Sequence, residues 1–511
     1  MKKDKNKVLH MIILMIITII FVASGYLKIY FSKTNFEEII FYVRSGLENG
    51  DMSVFWYAVK ICLPFIIILF TIFYSLFYEI PFKKEQTIII KNKKIYPVKL
   101  FKKNIKGATI TLFILSLCAI SWSVNLFNYV IYTNFPSNYI EENYVNPKDV
   151  EIKFEEKRNL IMIYVESLET SLFTKEQGGY WKYDVIPELY KIYKDDDTVV
   201  FYDKDISQTS NMIQGSSWTT ASLVANSSAV PFKIRINKNG YHSKNFLNGS
   251  YTLGDLLKDN GYYNELISGA TTSFGGLKEF YKRHGNYNII DKNTLKKYGL
   301  KMKKNDKGKW GFNDKYLFEV AKKRLDAISK QDEPFNLNLI TIDTHFVDGF
   351  VGNYSETKYK EQYENAYATT SRLIYDFVEW VKEQPYYENT TIVIMGDHLS
   401  MQDEFFFKHR AKDRYVYNCI INPKNNIGKQ KNRVITALDT YPTVVSAIGG
   451  NIKGNKLGLG VNLFSNEKTL AEKMGANKLD KELRKKSEFY NDNILNDEYL
   501  KKFELERKVG S

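Results

Sequence analysis

Three long apolar stretches occupy the first quarter of the chain, and shorter apolar runs alternate with amphipathic patterns over the remainder. The stretches cover residues 8–26, 54–78 and 107–130. Each is long enough to cross a hydrocarbon core of about 30 Å, which takes about 20 helical residues. No clear small-x-small cleavage site follows the first stretch and two more stretches come after it, so it is interpreted as a span and not as a signal peptide. The pattern predicts a membrane anchor over residues 1–130.

Lysines flank these stretches unevenly, and the asymmetry predicts an orientation. They cluster before the first stretch and between the second and third, at Lys2, Lys3, Lys5, Lys7, Lys83, Lys84, Lys91, Lys93, Lys94, Lys99, Lys102, Lys103 and Lys106. Because positive loops stay in the cytoplasm, we expect a multi-pass membrane protein with a cytoplasmic N-terminus and everything after about residue 131 outside the cell membrane. Much of the net charge of +14 is this topology signal, so nucleic acid is not an expected partner.

The part after the anchor divides by composition. Residues 131–158 are polar and irregular and are interpreted as a linker, residues 159–475 as a folded domain, and residues 476–511 as a charged, helix-prone tail that is solvated or frayed. Outside the spans the only cysteine is Cys419. No internal disulfide can therefore form there, which excludes a disulfide-rich secreted scaffold.

Within the domain, short β-branched or apolar runs predict buried strands, and amphipathic runs between them predict helices. The predicted strands are Leu160–Val165, Val199–Tyr202, Phe335–Ile342, Thr390–Met395 and Tyr415–Ile421, and the predicted helices are Leu253–Asn260, Tyr363–Glu383 and Thr436–Ile448. This alternation is typical of an α/β domain whose sheet carries helices on its faces.

Chemically capable side chains follow three of the predicted strands. Glu166 follows the first, His345 lies just beyond the third, and Asp397 with His398 follows the fourth. Open α/β sheets bind ligands outside the carboxyl ends of their strands, and such oxygen and nitrogen donors suit Mn²⁺, Zn²⁺ or Mg²⁺. The alternatives are a solvated turn for Asp397–His398, a helix cap for Glu166 and a hydrogen-bonded sheet-edge histidine for His345. Glu169 competes with Glu166.

A cluster of hydroxyl residues precedes a short helix-like run, TTASLVAN. Thr219 at its start is placed where amides and the helix dipole favour phosphate oxygens, so it is a candidate nucleophile. Helix capping is the ordinary explanation of such clusters, and Thr220, Ser216 and Ser217 are rivals.

Four further residues are weaker candidates. His284 and His242 could contact a substrate, and Lys282 with Arg283 could add positive charge near an anion, although a solvated charged turn is the simpler interpretation of that pair.

The segments LIMIYVESLE, GSSWTTASLVAN, DTHFVDGF, VIMGDHLSM and LDTYPTVVSAIGGNIKGNKLGLG, in that order, resemble bacterial phosphoglycerol transferases and, more distantly, lipoteichoic acid synthases. Both belong to the alkaline-phosphatase/sulfatase-like superfamily, and the resemblance covers about residues 155–475. It implies a central mixed, mostly parallel sheet flanked by helices.

The resemblance also implies a metal site of Glu166, Thr219, Asp397 and His398, with Thr219 as the nucleophile and His345 on the substrate phosphate. The implied metal is Mn²⁺, with Mg²⁺ or Zn²⁺ as alternatives. The implied reaction moves glycerol phosphate from phosphatidylglycerol, through a glycerophosphoryl-threonine, to an envelope glycan, teichoic acid or glycolipid.

This sequence departs from the synthases in the segment SGATTSFGGLKEF. Where they carry a histidine, a tryptophan and an arginine, it has Thr271 or Ser273, Gly275 and Leu277, which argues against polymer synthesis. The sulfatase nucleophile motif is also absent around Thr219. Three alternatives stay open: a phosphoethanolamine transferase, a phosphodiester or sulfatase-like hydrolase, and a catalytically dead envelope sensor or scaffold.

Overall fold

The computed structural model describes residues 2–30, 36–45, 52–78, 88–90, 93–95, 104–201, 210–233, 246–299, 311–425 and 432–496. The chain divides into two units. One comprises Met1–Ile39 and Asp51–Val130, and the other comprises Ile40–Gly50 and Ile131–Ser511.

Long apolar helices make up most of the N-terminal unit. They are Lys2–Tyr30, Met52–Phe77 and Ile105–Ser123, accompanied by a shorter helix, Phe36–Ser45, and an antiparallel pair of strands, Ile88–Ile90 and Lys93–Ile95. Within the long helices, Asn6–Tyr30, Phe55–Phe77 and Ile105–Ser123 are long and apolar enough to cross a membrane. The expectation of three spans is thus confirmed by length and composition.

Polar contacts join these helices at both ends. His10 Nδ1 lies 2.6 Å from the Tyr78 hydroxyl and its Nε2 lies 2.8 Å from Thr109 Oγ1. Ser24 and Ser123 hydroxyls are 2.6 Å apart. In apolar surroundings such pairs act as specific links between helices, because unsatisfied polar groups are costly there.

The third apolar stretch does not form one helix over residues 107–130. Its helix ends at Ser123, and a new helix, Leu126–Asn134, begins after Asn125. Asn125 has φ of 54°, a left-handed conformation that interrupts the ladder of helical hydrogen bonds. Because the run of apolar residues continues across Asn125, the hydropathy pattern did not reveal this break in the helix.

A seven-stranded sheet forms the centre of the second unit. Its strands are β1 (Asn159–Val165), β2 (Thr198–Val199), β3 (Tyr263–Ser268), β4 (Asn288–Ile290), β5 (Phe335–Ile340), β6 (Thr390–Gly396) and β7 (Asn418–Ile421). The spatial order is β2-β7-β6-β1-β5-β3-β4. Neighbours from β6 to β4 are parallel, whereas β7 is antiparallel to β6 and β2 to β7. The mixed, mostly parallel sheet is confirmed.

Helices cover the sheet and complete its core. They are Tyr139–Asn143, Pro187–Lys194, Thr219–Ser228, Leu253–Asp259, Leu277–Arg283, Asp314–Ile328, Gln362–Lys382, Asp403–Lys408, Thr440–Ala447, Leu470–Met474 and Ala476–Arg484. Leu160, Met162 and Tyr164 of β1 enter the core on one face, and Ile161, Ile163 and Val165 enter the core on the other. Alternate residues of a strand point to opposite faces, so a strand buried on both faces reads as one continuous apolar run.

The interpreted linker and tail are more ordered than expected. Residues 131–158 include helix Tyr139–Asn143, the 3₁₀ turn Pro147–Asp149 and strand Ile152–Phe154, which pairs with Gly450–Ile452. In the tail, Leu479 and Leu483 of helix Ala476–Arg484 are buried, as are Tyr490, Ile494 and Leu495. Burial of these apolar side chains holds the charged segment on the domain. Residues 497–511 lie outside the described part of the chain.

Candidate active site

Strands β1 and β6 are parallel neighbours whose last residues, Val165 and Gly396, lie side by side. The next residues, Glu166 and Asp397, therefore leave the sheet together at its carboxyl edge. Glu166, Asp397 and His398 are all buried. One ligand atom from each lies within 4.8 Å of the others, a spacing at which all three can reach a single cation.

The orientation of the His398 ring favours metal binding. Its Nδ1 lies 2.8 Å from the Leu399 carbonyl oxygen. Since a carbonyl only accepts, the proton is assigned to Nδ1, and Nε2 presents its lone pair. Nε2 faces Asp397 Oδ2 at 3.4 Å and Glu166 Oε1 at 3.6 Å.

Thr219 joins this cluster from a different element. It is the first residue of helix Thr219–Ser228, directly after the extended residue Trp218. Its Oγ1 is 3.4 Å from both Glu166 Oε2 and His398 Nε2. Of the rival hydroxyls, Ser216 is bonded within its own turn to Ile213. The structure thus brings together the four residues expected to form the metal site, and Thr219 is the half-buried one among them.

The Asp397 carboxylate is incompletely satisfied. Its Oδ1 accepts hydrogen bonds from the backbone N–H groups of Ser167 and His398, each at 2.8 Å. Its Oδ2 is buried and accepts no hydrogen bond from the residues that the structure describes. Burial, reinforced by the negative charge of Glu166, raises the pKa of Asp397 to about 6. An unpaired buried carboxylate oxygen is costly, and a cation among these donors would compensate it. The residues present therefore fit a divalent metal.

Comparisons with known proteins agree with this geometry. Residues 207–450 match the family model described as Sulfatase. This chain is matched over just under half of its length. It is 29% identical over 323 residues to a phosphoglycerol transferase I of Escherichia fergusonii, covering 61% of this chain and 39% of that protein. A phosphoglycerol transferase I of Salmonella choleraesuis is 29% identical over 324 residues, with the same coverages. This chain thus spans about two fifths of the length of these curated relatives.

Among solved structures, the lipoteichoic acid synthase LtaP from Listeria monocytogenes superposes with a TM-score of 0.50 at 17% identity. The match covers 65% of this chain and 82% of that one. At this identity the likeness concerns the fold. Together these findings confirm the resemblance to phosphoglycerol transferases.

Residues beyond the expected set hold the candidate metal ligands in place. The Ser167 hydroxyl donates to Glu166 Oε1 at 2.6 Å, and the Thr344 hydroxyl donates to the Glu166 carbonyl at 2.5 Å. The Glu166 N–H donates to Thr341 Oγ1 at 2.9 Å. Ser167 itself has φ of 54°, an uncommon conformation for a residue other than glycine. Sequence reasoning missed these supports, although each lies next to a residue or motif that it had selected.

Glu169, the rival of Glu166, has a different partner. Its two carboxylate oxygens accept hydrogen bonds from Arg414 Nε at 2.7 Å and Nη2 at 2.6 Å. Arg414 Nη1 also donates to Asp403 Oδ1 at 2.5 Å, and Nη2 to the Ser400 carbonyl at 2.8 Å. Glu169 therefore belongs to a buried ion-pair cluster, which anchors the chain two residues after His398.

His345 lies in a half-buried loop after β5. Its Nδ1 is 2.6 Å from the Phe346 carbonyl oxygen, and its ring stacks on that of Phe346. Two tyrosines hold this loop in place. The Tyr354 hydroxyl donates a hydrogen bond to Asp343 Oδ2 at 2.6 Å. The Tyr363 hydroxyl donates to the Thr344 carbonyl at 2.9 Å. His345 is thus in the loop that touches Glu166, but it is not a member of the three-residue group of possible metal ligands.

The weaker candidates have structural partners. His284 Nδ1 lies 2.8 Å from Asp255 Oδ2 and its Nε2 lies 2.8 Å from the Phe246 carbonyl oxygen. Lys282 donates to the Tyr287 carbonyl, and Arg283 donates to Asn248 Oδ1. His242 lies outside the described residues.

Thr271, Ser273, Gly275 and Leu277 follow β3 around a 3₁₀ turn, Phe274–Gly276. Gly275 has φ of 65°. A left-handed conformation here explains why glycine is suited to the position.

Proposed function

We propose that this protein is a membrane-anchored, metal-dependent phosphoglycerol transferase that uses Thr219 as its nucleophile. The observation that carries the proposal is the position of Thr219 Oγ1, 3.4 Å from both Glu166 Oε2 and His398 Nε2. A hydroxyl at a helix N-terminus, directed at a carboxylate and an imidazole, is arranged for covalent phosphoryl chemistry. The names of the curated relatives support transfer of a phosphoglycerol group, and the candidate membrane spans favour a lipid donor over a soluble one.

The reaction has two displacements at one phosphorus atom. Thr219 Oγ1 attacks the phosphodiester of phosphatidylglycerol, the bond to diacylglycerol breaks, and the diacylglycerol oxygen takes up a proton. A glycerophosphoryl-threonine remains. A hydroxyl of an envelope glycan, teichoic acid or glycolipid then attacks, and Thr219 leaves as its alcohol. The hydrogen bond from Thr219 to Glu166 is the route by which the hydroxyl proton departs.

Glu166, Asp397, His398 and Thr219 would hold the metal, with Mn²⁺ as the first choice and Mg²⁺ or Zn²⁺ as alternatives. When bound, it would lower the pKa of the threonine hydroxyl and neutralise charge on the phosphoryl oxygens. We assign His345 to the substrate phosphate or to protonation of the leaving alkoxide, because its loop is tied to Glu166 through Thr344.

The anchor would serve the same chemistry. Three spans would hold the domain beside its lipid donor and raise the effective donor concentration. We propose the orientation that the lysines indicate, with the N-terminus in the cytoplasm and the catalytic domain outside the cell membrane.

Intact-mass spectrometry tests the proposal. The purified full-length protein is incubated in detergent with Mn²⁺ and phosphatidylglycerol. We expect a gain of about 154 Da, the mass of one glycerophosphoryl group in such an intermediate, mapped to Thr219 by peptide sequencing. Thr219→Ala should abolish the adduct, whereas Thr220→Ala, a matched change one residue away, should retain it.

Other outcomes distinguish the alternatives. Diacylglycerol release without an adduct in the parent protein would indicate hydrolysis. An adduct formed with phosphatidylethanolamine alone would indicate a phosphoethanolamine transferase. If Thr219→Ala and the parent released diacylglycerol at equal rates, the assignment of the nucleophile would be wrong.

A further inference from the structure

The short helix Leu126–Asn134 exposes an apolar stripe. Phe127 is 57% exposed, Val130 47%, Ile131 51% and Phe135 64%. The Phe135 N–H still donates to the Ile131 carbonyl, so its position continues the helix. Spacings of three and four residues place these four side chains on one helical face. A soluble domain would have little reason to present four adjacent large apolar side chains to water.

The other side of this segment is attached to the C-terminal part of the catalytic unit. The Tyr132 carbonyl accepts a hydrogen bond from the Lys486 N–H at 2.9 Å, and the Ser137 N–H donates to the Lys486 carbonyl at 2.8 Å. Arg484 lies over the Tyr132 ring, 6.0 Å from its centroid. These contacts hold the segment from Tyr132 to Ser137 on the catalytic unit.

The position of the helix in the chain identifies what covers the stripe. Helix Ile105–Ser123 is long and apolar enough to span a membrane, and the break at Asn125 follows immediately. Just before the break, Trp122 is 60% exposed and Lys28 Nζ lies 4.4 Å from its ring centroid. Aromatic and lysine side chains at this level mark the boundary between hydrocarbon and headgroups. A helix that begins three residues after the span ends starts at that boundary.

We propose that Leu126–Asn134 is an interfacial helix that lies in the membrane surface, with Phe127, Val130, Ile131 and Phe135 in the upper acyl region. The partner of this surface is the bilayer itself. Short helices with one apolar face bind membranes in this way, with the helix axis in the plane of the interface.

The residues that hold Tyr132 belong to the same unit as the candidate active site. The segment that holds Tyr132 continues back to Asp480, whose carboxylate binds Arg484 at 2.7 Å and accepts a hydrogen bond from the Gln214 N–H at 2.6 Å. Gln214 lies in the turn that leads to Thr219. Contacts within this unit therefore connect Tyr132 to the turn before Thr219.

Lipid-quenching measurements test the proposal without reference to catalysis. The measurement uses full-length protein in which serine or alanine replaces the native cysteines Cys62, Cys118 and Cys419. Single cysteines are then introduced as Phe127→Cys, Ile131→Cys and Asn138→Cys and labelled with bimane. Each is placed at one copy per nanodisc, with or without lipids brominated near the top of the acyl chains. Asn138 is exposed and lies just beyond the helix, so it is the matched control.

We expect brominated lipids to quench bimane at positions 127 and 131 several-fold more strongly than at position 138. Val130→Cys is a second apolar-face position if either variant fails to fold. Equal, weak quenching at all positions would show that the helix lies in water and would overturn the proposal. A blue-shifted, unquenched probe that appears only when two copies share a disc would show that a second protein covers the stripe, and would also overturn it.

Discussion

Arg414 offers the sharpest test of how this domain is held together. Its side chain is fully buried, as are its partners Glu169 and Asp403. Four hydrogen bonds join the guanidinium to the two carboxylates and to the Ser400 carbonyl. Arg414→Met preserves most of the apolar volume but removes the positive charge that the two buried carboxylates share.

The structure sets the size of the expected loss. Removing one member of a buried ion pair typically costs about 3–5 kcal/mol, because the stranded charge cannot be solvated. Two stranded carboxylates place Arg414→Met at or above the upper end of that range. Arg414→Lys keeps the charge but not the two-pronged geometry and should lose less. The control is Arg372→Met, whose partly exposed pair with Glu356 should contribute under about 1 kcal/mol.

Pulse proteolysis of the full-length protein in increasing urea measures these differences, since it reports the unfolded fraction of the unit that contains Arg414. If Arg414→Met were as stable as Arg372→Met at neutral pH, the buried cluster would not be the stabilising feature that its geometry indicates.

Three further predictions concern the site and its surroundings. Gly396→Ala should destabilise the domain by about 1–3 kcal/mol or more, because a Cβ there would lie 2.0 Å from the Leu168 carbonyl oxygen. If the variant and the parent unfolded at the same urea concentration, this expected steric clash would be contradicted. Burial raises the pKa of Asp314 to about 6. Between about pH 4 and about pH 6 the folded state therefore keeps the proton on the Asp314 carboxyl, whereas the unfolded chain has lost it. The free energy of unfolding should fall as the pH rises through this range. Asp314→Asn should flatten that slope in a pH series of urea titrations, and an unchanged slope would show that Asp314 is ionised when folded. His398→Gln should weaken Mn²⁺ binding, measured by isothermal titration calorimetry, at least tenfold, which is about 1.4 kcal/mol. The control is His284→Gln, which should not weaken it, because the His284 ring contacts Asp255 and the Phe246 carbonyl. Equal Mn²⁺ affinities of the two variants would place the metal elsewhere.

Much of the architecture could be predicted because it is encoded in neighbouring residues. Runs of apolar residues indicated the three spans, and buried strands such as β1 and β6 were recognisable as continuous apolar segments. The residues that directly follow a strand can also be read from the sequence, so Glu166, Asp397 and His398 could be selected before any contact was known. The choice of Thr219 over its rival hydroxyls depended on the resemblance to phosphoglycerol transferases, since a helix-capping cluster alone did not decide it.

Sequence reasoning failed where an element that is buried in the folded domain contains charged residues. Strand β3 was missed because its Glu265 looks unsuited to a buried sheet. In the folded domain Arg324 donates to both of its carboxylate oxygens at 2.8 Å, which neutralises the charge. Similarly, the charged tail packs onto the domain through Leu479 and Leu483, and the third apolar stretch contains a break at Asn125 that hydropathy does not register.

The sequence by itself therefore determined the anchor, the class of domain and a short list of chemically capable residues, because periodicity and strand ends are local properties of the chain. Tertiary structure decided which of them meet. Glu166 and Asp397 are adjacent because β1 and β6 pair in parallel, Thr219 reaches them from another element, and Glu169 is withdrawn into an ion pair with Arg414. Such long-range pairings depend on packing and charge compensation between distant segments, which no local pattern records.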